Sequence, residues 1–125
     1  KVYAVDLDNK CIRSLRAKAA RRGRRNIEAH ASSASDLSFI PDQSVDFVFA
    51  NGLLCSIAVD RQSAVSEMKR ILKPEGLAYI SLGSAPPMGY VDQVEWHQIL
   101  SGFTIKAGGD FKEMWALVSL TPAVI

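Results

Sequence analysis

The sequence predicts an α/β fold in which helices cover a mostly parallel sheet, with an antiparallel hairpin at the carboxyl end. First, short continuous apolar runs such as residues 2–5 and 77–82 are typical of parallel strands buried on both faces. Second, segments with helical spacing separate these runs, which favours right-handed crossovers. Third, residues 103–107 and 111–120 are rich in β-forming residues and are joined around Gly108 and Gly109, as in a tight hairpin.

The elements can be justified in chain order. Residues 2–5 predict a strand, and Asp8 or Asn9 can cap the helix that follows it. Gly23 can supply the left-handed stop of this helix. One face of the helix is apolar and carries Ile12, Leu15 and Ala19. Beyond it we predict an edge strand at 27–31, a buried strand at 45–50, helices at 61–72 and 91–100, and the strand at 77–82, with a Pro86-Pro87 break before the last helix.

Length and composition are those of one globular domain, residues 1–125, with a net charge of only +2. Cys11 and Cys55 lie far apart without metal-ligand spacing, and we expect them to be free, buried thiols in a reducing cytoplasm. No apolar run approaches the ~20 residues of a membrane span, and no signal peptide opens the chain. We therefore expect a cytoplasmic protein with no membrane partner.

Three motifs carry a resemblance to a known family. Residues 71–82 follow an amphipathic helix and resemble the "RVLKPGG-strand" signature of class I methyltransferases that use S-adenosylmethionine. Residues 1–6 resemble the family's second strand with its terminal acid, and residues 44–51 resemble its fourth strand. The motifs occur in the family's order, and small-molecule methyltransferases of the type 11 group look most similar. The resemblance implies a Rossmann-like sheet with strand order 3-2-1-4-5-7-6, S-adenosylmethionine as cofactor, and direct methyl transfer to a small-molecule acceptor.

Asp6 is the first candidate site residue. An acid at the carboxyl end of a parallel strand faces the crevice where open α/β sheets bind ligands. The resemblance implies that Asp6 holds the adenosine ribose and that Leu7 lines the adenine pocket. The alternative is that Asp6 or Asp8 only caps the helix; we assign the cap to Asp8 and the ribose to Asp6. A dinucleotide-binding fold uses an acid in the same way, so Asp6 alone does not exclude one.

Two further segments supply candidate contacts. Residues 31–46 resemble the family's "gDA-x-DLPF" run, in which Ser33 stands where many members place an acid on the adenine amino group. Ala34 stands where a backbone N–H meets an adenine ring nitrogen, although a solvated serine-rich loop is an alternative. Asn51 follows the fourth strand, near the methionine end of the cofactor in the family, and could equally be a loop cap. In the same region, Phe39 and Asp42 are expected to be packing and turn residues.

One feature of the family is missing. Its first strand ends in an acidic Gly-x-Gly loop around the methionine part of the cofactor, and none of the eight glycines here forms such a loop. We therefore expect an N-terminally incomplete domain that lacks its first strand and binds cofactor poorly. Strands 2–5 and 45–50 must then pair directly, receive a strand, or remain marginally folded. We favour a strand from a partner, including a second copy, or from another segment.

The remaining polar residues suggest no other site. A basic cluster near residues 18–25 is expected to be a solvated helix end with no nucleic-acid role, and consists of Lys18, Arg21, Arg22, Arg24 and Arg25. His30 and His97 have no partner ligand at metal spacing, so we expect no metal, and His97 is a weak candidate for a general base. The alternative to a methyltransferase is a non-catalytic nucleotide-binding or oligomerisation module. A dinucleotide-dependent dehydrogenase is disfavoured by the 73–76 turn and the terminal hairpin.

Overall fold

The computed structural model describes residues 1–56, 59–82 and 91–122. Strands and helices alternate through most of the chain, as predicted. In order, the elements are β1 (Val2–Asp6), α1 (Asn9–Arg21), β2 (Ile27–Ala31), β3 (Val45–Asn51), α2 (Arg61–Ile71), β4 (Leu72–Ser81), α3 (Gln93–Leu100), β5 (Phe103–Gly108) and β6 (Trp115–Leu120). The predicted Pro86-Pro87 break lies outside the described residues.

The strands form two separate sheets. β1 and β2 pair in parallel, and β3-β4-β6-β5 form a second sheet in which β6 is antiparallel to both of its neighbours. In the family's numbering these are strands 3-2 and 4-5-7-6, so the order matches with only the first strand's position unfilled by the described residues. Direct pairing of β1 with β3 does not occur. The mostly parallel, Rossmann-like strand order is therefore confirmed, and none of the described residues forms a strand at the first position.

Two elements differ from their predicted form. β4 begins at Leu72 rather than at residue 77, because residues 73–76 bulge out of a strand that is already paired with β3. A Cβ at Gly76 would lie 2.7 Å from Leu72 Cδ1 and 3.0 Å from the Asp46 carbonyl oxygen, so the close approach of the two strands at the bulge favours glycine. The terminal hairpin is antiparallel as expected, but it is not tight, because β6 starts only at Trp115. The intervening loop is held by the Trp96 indole, which donates to the carbonyl oxygen of Gly109 at 2.9 Å.

The first helix follows its predicted chemistry. The Asp8 side chain caps α1 by accepting from the Lys10 backbone N–H, and Ile12 is buried against the small sheet. Cys11 is exposed, so the prediction of two buried thiols was wrong for this residue. It precedes Ile12 by one position, which turns it by about 100° toward solvent. Its thiol donates to Asp8, and this contact raises the pKa of Cys11.

The main core lies between the four-stranded sheet and helices α2 and α3. Its fully buried large side chains include Leu54, Leu72, Ile80, Trp96 and Val118. A smaller cluster of Leu37, Ile40 and Ile71 touches side chains of both β1 and β3. This second cluster therefore joins the two sheets across the position that no described strand occupies.

Candidate functional site

A groove with a volume of about 1070 Å³ lies between β1 and β3. Every residue of both strands lines it, and Leu37, Ile40, Met68 and Ile71 contribute apolar side chains to it. Asp6 ends β1 and Asn51 ends β3, and both residues line the groove, so the carboxyl ends of the two strands border the same cavity. The residues that line this end are Asp6, Leu7, Ser32, Ala34, Asn51 and Gly52.

Asp6 presents its carboxylate at the carboxyl end of β1. One oxygen, Oδ1, accepts from the Asp8 backbone N–H at 2.8 Å. Within the described ranges, no donor reaches Oδ2. The helix cap belongs to Asp8, as predicted, so the Asp6 carboxylate retains an oxygen for a ligand in the groove.

Four of the five predicted site residues share this groove, and Ser33 does not line it. Leu7 is exposed at the end of the groove, whereas Ala34 is partly buried against the core. The Ser33 hydroxyl lies 2.7 Å from that of Ser35 and accepts from the Ser35 backbone N–H. Its hydrogen bonds are thus made within its own loop. Asn51 lies across the groove from Asp6, at the end of β3.

Two residues that hold the loop between β2 and β3 were not singled out from the sequence. Arg70 donates to the carbonyl oxygens of Leu37 and Ile40, each at 2.8 Å, and Glu67 accepts from the Leu37 backbone N–H at 2.6 Å. Arg70 also bonds Glu67 and Asp42. The hydrogen bonds from Arg70 lower the pKa of Glu67, and those same contacts raise the pKa of Arg70. The sequence did contain a pointer to Arg70, because this residue stands at the arginine of the "RVLKPGG" signature.

The other residues discussed from the sequence, Phe39, Asp42 and His97, do not line the groove. Phe39 stacks on His30 with ring centroids 3.7 Å apart, and Asp42 pairs with Arg70 at 2.7 Å, consistent with packing and turn roles. His97 is exposed on α3 and does not line the groove. In the parts of the chain that the structure describes, no group of three or more His, Cys, Asp or Glu side chains could hold a metal ion.

The basic cluster is exposed at the end of α1 and in the turn after it. Across the described residues, its five side chains form no ion pair with an acid. Arg24 and Arg25 line an open depression of about 420 Å³ that is separate from the groove. Among the helices described, none combines the length and apolar character needed to cross a membrane.

Residues 1–80 match the methyltransferase-domain family of type 11. Among solved structures, a candidate type 11 methyltransferase from Sulfolobus solfataricus has 22% identity and a TM-score of 0.72, and the match covers 98% of this chain and 72% of that one. A SAM-dependent methyltransferase from Aquifex aeolicus also has 22% identity and a TM-score of 0.72, with coverage of 97% and 69%. No curated protein matches the sequence.

The fold is also shared by a protein with a different activity. The [4+2]-cyclase SpnF has 18% identity and a TM-score of 0.71, and the match covers 86% of this chain and 43% of that one. At such identities the structural likeness shows the fold alone. The sequence match extends over more than half of the chain and includes β1, the connecting loop after β2, and β3. The chain therefore belongs to the type 11 methyltransferase-domain family of class I, S-adenosylmethionine-dependent methyltransferases.

Proposed function

We propose that this protein transfers a methyl group from S-adenosylmethionine to a small-molecule acceptor, with the adenosine held at the carboxyl end of the groove. The observation that supports this most strongly is the shared position of Asp6, Leu7, Ala34 and Asn51 around that end. Among these side chains, only the Asp6 carboxylate carries a charge. A ribose hydroxyl that donates to such a carboxylate forms a charge-assisted bond of about 1.5–3 kcal/mol.

The residues fit the adenosine half of the cofactor. Oδ2 of Asp6 would accept from the ribose hydroxyls, while Leu7 and the backbone of Ala34 would border the adenine ring. Asn51 would lie toward the methionine end. The sulfonium of the bound cofactor supplies an electrophilic methyl group. The role of the chain is then to orient cofactor and acceptor for an in-line displacement, a positioning effect that needs no dedicated acid–base pair.

The methionine half has no glycine-rich loop in this chain to hold it. We infer that the active form has a further parallel strand between β1 and β3, supplied by a partner chain or by another part of the protein. A strand in a packed sheet fills roughly 160 Å³ per residue, from a rise of about 3.3 Å, a spacing of about 4.8 Å and a layer of about 10 Å. The groove of about 1070 Å³ is therefore large enough to take a short strand.

The alternative function is a nucleotide-binding or oligomerisation module that does not catalyse methyl transfer. The lack of a glycine-rich loop in these 125 residues supports this alternative, and the cyclase shows that the fold does not by itself specify methyl transfer. For either function, we propose a cytoplasmic location and no membrane or nucleic-acid partner. The small net charge of +2 supports the absence of a polyanionic partner.

Calorimetry on the protein at its full encoded length tests the proposal. S-adenosylhomocysteine should bind and NAD should not, and S-adenosylmethionine should be consumed when a panel of small-molecule acceptors is added. Binding of NAD without S-adenosylhomocysteine would contradict the proposal and favour a dehydrogenase. Binding of S-adenosylhomocysteine with no turnover across the panel would instead favour the non-catalytic module. The 125 residues alone should bind more weakly than a form with a further strand between β1 and β3.

A further inference from the structure

We propose that Arg70 and Glu67 are positioning residues for the adenine pocket, acting through the connecting loop, residues 32–44. This inference rests on the proposed function, because it assumes that the loop borders adenine. Neither side chain lines the groove. Both sit on the last turns of α2 and reach the loop through hydrogen bonds.

The connecting loop is anchored at two points close together in sequence. At the first, the Ser32 backbone N–H donates to the carbonyl oxygen of Asp6 at 3.0 Å. At the second, both backbone polar groups of Leu37 are held, its N–H by Glu67 at 2.6 Å and its carbonyl by Arg70 at 2.8 Å. Only residues 33–36 lie between the anchors. The position of Ala34 relative to Asp6 therefore depends on where α2 holds Leu37.

The hydrogen bonds from residue 70 to the connecting loop depend on the planar guanidinium group of an arginine. Nη2 of Arg70 donates to the carbonyl oxygen of Leu37, and Nη1 donates to the carbonyl oxygen of Ile40 and to the Asp42 carboxylate. A planar fork reaches these separate acceptors at once, whereas a lysine ammonium is a compact point charge at the end of a flexible stem. Glu67 completes the arrangement, because its carboxylate accepts from both Arg70 and the loop.

The residues of α2 that pack in the main core are different from those that bond the connecting loop. Ala64, Val65 and Met68 are buried in the main core, while Glu67 and Arg70 remain partly exposed. Loss of the hydrogen bonds therefore leaves the apolar packing of α2 intact. The loop's own apolar anchors, Leu37 and Ile40, still pack against Ile71. Arg70→Lys should thus displace the loop by a small amount without unfolding the domain.

A pair of ligands separates a positioning role from a stabilising one. S-inosylhomocysteine differs from S-adenosylhomocysteine only in the purine, where a carbonyl replaces the amino group and the neighbouring ring nitrogen becomes a donor. In the wild-type protein at full encoded length, we expect the adenine ligand to bind at least about tenfold more tightly, because mismatched donors are left unpaired. Arg70→Lys and Glu67→Gln should each reduce this ratio by at least about threefold.

Lys69→Gln is the matched control, because Lys69 lies on the same turn but donates to the Ser101 carbonyl, away from the loop. It should leave the ratio unchanged. Hydrogen exchange of the ligand-free protein supplies a second measurement: residues 33–38 should exchange faster in Arg70→Lys, while β4 and β6 keep their protection.

The outcomes distinguish the two proposals. If the wild type binds S-adenosylhomocysteine but both ligands weaken equally in Arg70→Lys, only the positioning role is overturned. The same follows if the wild type does not discriminate, if Lys69→Gln shifts the ratio as much, or if exchange at 33–38 is unchanged. If the wild type does not bind S-adenosylhomocysteine, the proposed function fails, and the positioning role fails with it.

Discussion

The two sheets of this molecule differ in how much core they bury. Of the residues that the structure describes, 17 form a buried cluster around Trp96, between the four-stranded sheet and helices α2 and α3. In residues 1–31, which form the small sheet and α1, the buried hydrophobic residues are Ile12 and Ala29. Asp6 belongs to this thinner part, while Asn51 belongs to the well-packed part. The candidate site therefore spans two regions of unequal stability.

The difference has a cause in the sequence. Residues 10–25 contain eight Lys and Arg residues and no acid, so α1 can bury only a narrow stripe. The small sheet has two strands, and one edge of it borders the groove. A sheet of only two strands has little stability of its own and depends on the side chains packed against it. The small cluster around Leu37 and Ile40 is therefore important for holding β1 in place.

The largest effect is expected in the main core. Trp96 is fully buried, and Trp96→Ala should lower the free energy of unfolding by about 3–5 kcal/mol, as measured by urea denaturation. The reason is the cavity left by the indole, together with the lost hydrogen bond to Gly109.

Val94→Ala is the control for this substitution, because Val94 lies on the same helix and is 64% exposed. It should change the free energy by less than about 0.5 kcal/mol. Equal effects of the two substitutions would show that the main core is not where the structure places it.

A smaller loss of stability, confined to the region formed by β1, α1 and β2, is expected from a substitution in α1. Ile12→Ala should cost about 2 kcal/mol, and hydrogen exchange should show lost protection in β1 and β2 but not in β4 and β6. Arg13→Ala, an exposed change on the same helix, should leave both patterns unaltered. If β4 and β6 lose protection equally with Ile12→Ala, the two sheets unfold as one unit and the contrast between them is wrong.

Much of the fold followed from the sequence because its signals are local. Apolar runs, the Asp8 cap and the periodicity of 61–72 depend on neighbouring residues only, and the structure has these features close to their predicted bounds. The bulge at 73–76 and the open terminal hairpin did not follow. They depend on Asp46 and Trp96, which reach these segments only after the chain folds.

The stabilising contact between Arg70 and Glu67 should be lost at low pH. Arg70 holds the pKa of Glu67 below its ordinary value of 4.5, so the contribution of this contact to stability is complete above about pH 4.5. It is lost as the pH falls through the lower, folded-state pKa. Urea denaturation should therefore show that wild type and Glu67→Gln differ at neutral pH and converge as the pH falls below 4.5 through the lowered pKa of Glu67. A difference that stays constant over this range would contradict the contact.

The site was predictable only in part. Asp6, Leu7, Ala34 and Asn51 lie at the end of a strand or within three residues of one, so the topology alone brings them to one groove. Ser33 is one residue from Ala34, but its hydroxyl bonds Ser35 instead of lining the groove. Glu67 and Arg70 act across about thirty residues of sequence, and no local pattern shows which backbone groups they hold.

The central claim is that Asp6 is the ribose ligand of an S-adenosylmethionine site. Calorimetry of the full encoded protein with S-adenosylmethionine measures this directly. Asp6→Ala should weaken binding by at least about tenfold, because a charge-assisted bond is lost. Asp8→Asn removes a charge two residues away but keeps the helix cap, and it should leave the affinity within about twofold of wild type. Unchanged affinity in Asp6→Ala, or an equal loss in Asp8→Asn, would contradict the assignment.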